Sequence, residues 1–462
     1  MNNQSKSDKK SIFQEFVDVA LENLPLDVSP ELRKKIIAII DRFLGPIFQD
    51  IERRRLPRLA LVGRTRSGKS SLINAIFGRE VVKVGAVRSV TTGPEVVKWA
   101  TLRDNNEDDE MIEILDTRGV QEGIPPEGAP AISSLESVMM AIREQTPDMF
   151  LFLEKATEVN AAVMSDLDTF AKCLRASKAI HDGKEMYPLV IGIPTQCDQL
   201  SPPGFWSVED RQFYSAYWDA DKDGIPRQGS HADFEYRLEK LDNIREAVSV
   251  WTQHLLKIPE ISPLYNLKVS PTTAQMRFRV DKSLDTDART DLRWNIEELK
   301  NLIMSELPSD AQIEFFRLAR VKTGQHKYAD KIILATSGIC TAVGALPTPA
   351  GFDLPFLLGT QILQIMLIGF VSGRKLSWDT ASEFLKASGL QAGAGFLLRE
   401  GFRAAAKFIP VAGWLVSGGI AGGATLASGK LAVAYFIDGK KMTWEETKHS
   451  VENLISSNKG DG

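Results

Sequence analysis

The sequence is poor in the residues from which disulfide scaffolds and metal sites are built: it has three cysteines, Cys173, Cys197 and Cys340, and five histidines in 462 residues. An odd number of widely separated cysteines supports neither a disulfide framework nor a CxxC metal site, and it fits a reducing, cytosolic setting. The histidines, His181, His231, His254, His326 and His449, show no paired metal-ligand spacing. Charge of one sign is missing too. Lysine plus arginine is 56 and aspartate plus glutamate is 60, a net charge of -4, so composition makes no case for a nucleic-acid partner, and none is expected. At the start, Met1 to Lys10 is polar, and Glu15, Asp18 and Glu22 interrupt the apolar residues that follow. That is unlike the apolar core of a signal peptide, so the amino end is expected to stay in the cytosol.

What is present is ordinary globular composition, 43% hydrophobic and 25% charged, in a chain long enough for two or three domains. Ser29 can cap a helix, Pro30 suits its first turn, and Leu32, Ile36, Ile40, Phe43, Leu44 and Ile47 recur at three- and four-residue spacing. Ile12 to Leu24 marks a shorter helix before it. From Pro57 to about Pro308, short apolar runs alternate with helical stretches: Leu59 to Val62, Met111 to Leu115, Met149 to Leu153, Leu189 to Ile193 and Leu267 to Val269. This predicts a mostly parallel sheet wrapped by helices. Residues 331 to 437 are sparsely charged and hold almost half of the 34 glycines. The expected division is an N-terminal helical segment (1–55), an α/β domain (56–308) with an aromatic insertion at about 201–236, a linker helix (309–330), a glycine-rich helical domain (331–445) and a polar tail (446–462).

The run Leu59 to Val62 leads directly into Gly63-Arg64-Thr65-Arg66-Ser67-Gly68-Lys69-Ser70 and then a helical stretch opening with Ser71, which is GxxxxGK[ST] in the strand and helix context the motif requires. Its glycines let backbone N–H groups wrap phosphates, Lys69 opposes the charge of the outer phosphates, and the Ser70 hydroxyl can bind magnesium. Further on, Asp116 ends a predicted strand, where it can hold magnesium through water, and Gly119 can sense the terminal phosphate. Thr91 and Thr92 lie between, and either hydroxyl can complete the magnesium shell. Thr195-Gln196-Cys197-Asp198 follows another strand, with Asp198 suited to the edge of guanine. Ser270 stands where a backbone N–H is expected to contact the guanine oxygen.

With these motifs in order, residues 57 to 307 resemble the Era-like branch of the translation-factor-related GTPases. With the tail, the chain resembles bacterial Era-like GTPases that carry a carboxy-terminal glycine-rich helical domain of unknown function. The resemblance implies an α/β P-loop GTPase domain, its mostly parallel sheet covered by helices on both faces, flanked by an N-terminal helical segment and a C-terminal all-α apolar domain. It also implies GTP or GDP as ligand, Mg2+ as cofactor and slow hydrolysis with Lys69, Thr91, Thr92 and Gly119 at the reacting phosphate. Three residues depart from the pattern. Gln196 replaces the usual lysine over the base, Val120 follows Gly119 where Ras-like proteins place a water-orienting glutamine, and Arg66 replaces the asparagine of potassium-activated members. A dynamin-like or immunity-related membrane-remodelling GTPase, self-associating through the GTPase domain, is the rival reading; a nucleotide-binding scaffold without turnover is another.

Two features point elsewhere. Asp219 to Gly224 reproduces the start of an EF-hand loop, but its twelfth position is Ser230 rather than glutamate, which favours a solvated acidic turn over calcium. In the tail, Ile332 to Phe352, Leu354 to Gly373 and Phe408 to Gly429 are uncharged, with Lys322, Lys327, Lys331, Arg374 and Lys375 around the first two and none of these at the turn between. Under the positive-inside rule this predicts hairpins entering from the cytoplasmic face of the inner membrane, with Gly418, Gly419, Gly422 and Gly423 permitting close helix contact; the alternative is a soluble helical bundle with tight alanine and glycine seams, which leaves the charge placement unexplained.

Overall fold

The structure, a computed structural model, describes residues 29–82, 100–103, 110–116, 134–346, 353–387 and 421–440, except 65, 162–163, 182–183, 222–223, 228, 263–265, 282 and 288. The helix expected over Ile12 to Leu24, Thr65, Thr91, Thr92, Gly119, Val120 and the polar tail lie outside the described residues. The chain divides into two compact units, one of residues 55–315 and one combining the described residues of 1–54 and 316–462. The N-terminal helix expected as a segment of its own therefore shares a unit with the glycine-rich region.

In the first unit the five apolar runs are strands: β1 (Arg58–Val62), β3 (Glu110–Asp116), β4 (Met149–Lys155), β7 (Leu189–Thr195) and β8 (Leu267–Val269). β2 (Ala100–Arg103) joins them at one edge, and β5 (Ala179–His181) and β6 (Lys184–Met186) form a separate hairpin. The order is β2-β3-β1-β4-β7-β8, with β2 antiparallel to β3 and the other pairs parallel. Parallel pairing requires crossovers, and α2 (Lys69–Phe77), α3 (Ser134–Glu144), α4 (Met164–Ala176), α5 (Val208–Ala216), α6 (His231–Leu255) and α7 (Ile296–Glu306) supply the helices that cover both faces. β4, at the centre, has Met149 to Leu153 buried on both sides. Beneath it Phe150 meets Phe170 edge-on at 5.5 Å between ring centroids, and Phe152 meets Trp251 at 5.0 Å.

The aromatic insertion is a packed subdomain. Trp206, Phe213, Tyr214 and Phe234 are buried in the same core as the sheet, Trp206 packs edge-on against Trp294, and its indole N–H donates to Leu292 O at 3.0 Å. A capping box, Ser207 with Asp210, starts α5. At the entrance to β1, the Arg55 guanidinium spans the Asp148 carboxylate (2.6 and 2.8 Å) and Asp310 (2.8 Å), while its backbone N–H donates to Asp310 O at 2.9 Å. Among the described residues no cluster of histidine, cysteine and acidic groups suits a metal ion, and residues 222–223 of the EF-hand-like loop lie outside them.

The second unit is helical: α1 (Pro30–Arg53), α9 (Lys322–Gly344), α10 (Asp353–Val371), α11 (Trp378–Ala387) and α12 (Ala421–Phe436), with α8 (Ser309–Leu318) carrying the chain across the division. Ser29 caps α1 by accepting from Leu32 N, and Ile36, Ile40, Leu44, Ile47 and Ile51 form its buried stripe. Glycine at the helix seams allows close approach: a Cβ on Gly429 would lie 2.5 Å from Ile333 Cγ1 and 2.8 Å from Gln364 Nε2. Every residue from Phe356 to Val371 of α10 is buried. Among them sit polar side chains that are satisfied internally, since Gln364 Nε2 donates to Thr336 Oγ1 (2.7 Å) and Ser428 Oγ donates to Gln364 Oε1 (2.8 Å).

The described helices of this unit thus satisfy their buried polar side chains by packing on one another. Among the described residues no helix is long and apolar enough to cross a membrane. Two of the cations that suggested an orientation have acidic partners in the unit, Lys331 with Asp50 and Arg374 with Glu383, and Lys430 pairs with Asp330. Residues 347–352 and 401–420, in the expected hairpin turn and third stretch, lie outside the described residues. Gly429→Val is expected to destabilise the helical unit by about 1–3 kcal/mol through overpacking of Ile333 and Gln364, read as a lower urea midpoint with unchanged slope.

Candidate nucleotide site

The carboxyl ends of the parallel strands β1, β3, β4 and β7 lie along one edge of the sheet, with β4 and β7 running beyond the end of β1. Leu61 of β1 stands opposite Asp116 of β3, Val62 opposite Phe152 of β4, and Lys155 of β4 opposite Thr195 of β7. Ligands of open α/β sheets bind at this edge.

The loop from Gly63 to Gly68 turns the end of β1 into the start of α2. Gly63 has φ +148° and Gly68 φ +96°, and Arg66 holds a left-handed conformation at φ +68°. At Gly63 the need for glycine is also steric, because a Cβ there would lie 2.5 Å from Leu153 O. Ser67 N closes a turn on Arg64 O at 3.1 Å, and Leu72 N donates to Gly68 O at 2.8 Å as α2 begins. Lys69 is buried, and its Nζ donates to the carbonyls of Gly63 and, at 2.9 Å, Arg64, so the ammonium lies in the curl of the loop. The Ser67 hydroxyl is buried without a hydrogen-bond partner. Ser70 and Ser71 occupy the first turn of α2.

The loop after β7 is tied to the phosphate loop by two side chains. Thr195 Oγ1 lies 2.7 Å from Ser67 O and 3.2 Å from Glu154 O, and Gln196 Nε2 donates to Arg66 O at 3.0 Å. Gln196 itself is left-handed, at φ +56°, and starts the short 3-10 turn Cys197–Gln199. Burial pushes the Cys197 thiol well above its usual range, leaving it an inert packing group. Asp198 is held by Thr273: Asp198 N donates to Thr273 Oγ1, and that hydroxyl lies 3.2 Å from Asp198 Oδ1.

The structure thus brings Gly63, Arg64, Arg66, Ser67, Gly68, Lys69, Ser70, Ser71, Thr195, Gln196 and Asp198 to one edge, with the backbone of Asp116 beside β1. Ser70 lies in the first helical turn and the backbone of Asp116 at the end of the neighbouring strand; hydroxyl and carboxylate oxygens are the donor class that magnesium takes. Ser270 is a correction. Its N–H donates to Gly192 O at 2.9 Å, continuing the β7–β8 ladder, and its hydroxyl accepts from Asn295 Nδ2 at 3.2 Å. The next residue, Pro271, has no N–H, so the expected amide is not available there. Thr273, which sequence reasoning passed over, is the residue of this segment that touches Asp198. The adjacent threonines after the β8 run were its only signal.

Residues 58–180 match the family model described as 50S ribosome-binding GTPase. The chain carries a P-loop GTPase domain. The matched stretch takes in the phosphate loop and Asp116 but ends before Thr195. The tRNA modification GTPase MnmE of Halorhodospira halophila is 27% identical over 239 aligned positions, which cover 44% of this chain and 48% of that protein. The chain therefore spans about half the length of the curated relative it matches. Among solved structures, a GTP-binding protein from Sulfolobus solfataricus in complex with GDP aligns at 14% identity, covering 64% of this chain and 65% of that one, with a TM-score of 0.27. Toc33 from Arabidopsis thaliana with Mg2+ and GMPPNP aligns at 15% identity, covering 64% and 94%, with a TM-score of 0.26.

Gly63→Ala in the GTPase domain is expected to displace Leu153 or the loop and to lower triphosphate affinity at least about tenfold, measured by calorimetric titration, since binding depends on loop amides held in place.

Proposed function

We propose that the protein binds GTP and GDP with Mg2+, hydrolyses GTP slowly, and uses its nucleotide state as a switch acting on the helical unit. The observation that supports this reading is the hydrogen bonding of the Gly63–Gly68 loop to the Asp198 loop through Gln196 and Thr195, since a base-reading carboxylate and a triphosphate cradle would need to share one frame. Lys69 would oppose the outer phosphate charge, Ser70 and Asp116 with Thr91 or Thr92 would hold magnesium, and Gly119 would couple the terminal phosphate to the second switch. Magnesium supplies charge neutralisation at the phosphates; the chain supplies the amide cradle, the lysine and the base contact. Slow turnover is supported by Val120, which offers no group to orient water. The distant GTPase relative supports the nucleotide and leaves the substrate of any larger process to experiment.

Lys69→Ala is expected to abolish triphosphate binding, and Asp198→Asn to shift preference from GTP towards xanthosine triphosphate, whose altered edge suits an amide. Fluorescent-nucleotide titration checks both; equal binding of ATP and GTP by the unmodified protein would contradict the assignment of Asp198.

The localisation we propose is cytoplasmic, with reversible docking of the helical unit at the inner membrane rather than insertion. The internal hydrogen bonds of α10 and the pairing of the tail cations support docking over spanning. Carbonate washing of cell membranes is expected to release the full-length protein; retention in the pellet would favour insertion.

A further inference from the structure

Lys240 of α6 has no exposed surface. A buried ammonium is tolerated only when its hydrogens are matched, and here each has a carbonyl: Asp198 O at 2.7 Å, Leu200 O at 2.7 Å and Pro202 O at 3.1 Å. The Trp206 ring lies 5.3 Å from Nζ, closing the site from the side of the insertion. One turn further along α6, Asn243 Nδ2 donates to Ser201 O at 3.0 Å. Two side chains of one helix therefore hold four carbonyls between residues 198 and 202, directly after the base-reading aspartate.

The need for this clamp follows from the neighbouring departure in sequence. Gln196, standing where a lysine is usual, spends its amide on Arg66 O. Reading the base edge then falls to Asp198, whose Oδ1 and backbone N–H both meet the Thr273 hydroxyl, so that the carboxylate's direction depends on where its backbone is held. We propose that Lys240, with Asn243, is a positioning residue for base recognition: by fixing the backbone from Asp198 to Pro202 it aims the Asp198 carboxylate, and so sets the discrimination between guanine and other bases. This rests on the nucleotide reading above.

The exocyclic 2-amino group of guanine, absent from hypoxanthine, is the group a carboxylate at this position would accept from, so the ratio of GTP to ITP affinity reports the aim of Asp198. The test uses the full chain carrying Lys240→Met, which keeps most of the length of the side chain and removes its donors, and separately Asn243→Ala at a half-buried position. With Mg2+ present, displacement of a fluorescent GDP by GTP and by ITP is expected to show the GTP:ITP ratio falling about tenfold in Lys240→Met and about threefold in Asn243→Ala, while ITP affinity changes less than about twofold. A lysine that merely supported the fold would lower both affinities together and leave the ratio unmoved, and that result overturns the inference. Should Lys240→Met fail to fold, the Asn243→Ala ratio decides in the same way. Absence of GTP binding by the unmodified protein would overturn the site reading and the inference with it, whereas GTP binding with an unmoved ratio in the variants overturns the inference alone.

Discussion

A backbone that wraps phosphates must turn its N–H groups inward, and this throws its carbonyls outward where they need donors of their own. That requirement governs the nucleotide edge of the protein. The outward carbonyls of Arg66 and Ser67 are met by Gln196 and Thr195, while those of Gly63 and Arg64 turn into the curl of the loop and are met there by Lys69. Val62, the last residue of β1, is level with Phe152 of β4 and Gly192 of β7, so β7 must run on beyond the end of β1 for Thr195 to reach Ser67, and the register of the central strands and the apolar packing beneath them are conditions of the loop's shape. The insertion serves the same end: Trp206 covers Lys240, while Arg211 binds Asp291 O and Arg293 O, and Arg293 reaches Ala75 O at the end of α2.

Local signals in the sequence were legible and long-range ones were not. The five apolar runs became strands because short β-rich stretches bounded by turns have few other uses, and Ser29 and Pro30 marked the start of α1 because capping is settled within one turn. The phosphate loop was legible for the same reason. Ser270 was misjudged because its amide partner, Gly192, belongs to another strand, and Thr273 and Lys240 were missed because they lie 75 and 42 residues from Asp198. Nothing near a residue in sequence says which carbonyl it will meet across such a distance.

The helical tail shows a related limit. Apolar helices with glycine seams satisfy both lipid and protein surroundings, so composition alone does not choose between them. In the described helices the charges and amides find partners within the unit: Asp50, Asp330 and Glu383 sit on other helices or beyond a turn from their cations, and Gln364 bridges α9 and α12. Polar groups buried in a mostly apolar bundle favour one helix register over its neighbours, since any slip leaves them unpaired.

The Arg55 staple has a bearing on how such a chain could have been assembled. Residues at the two ends of the GTPase unit, Arg55 and Asp310, are hydrogen-bonded to each other through backbone and side chain. A unit whose ends already touch can be copied into a loop of another protein without forcing that host apart. The arrangement of this chain, in which one helical unit is drawn from sequence on both sides of the nucleotide-binding unit, is the layout that such an insertion leaves behind.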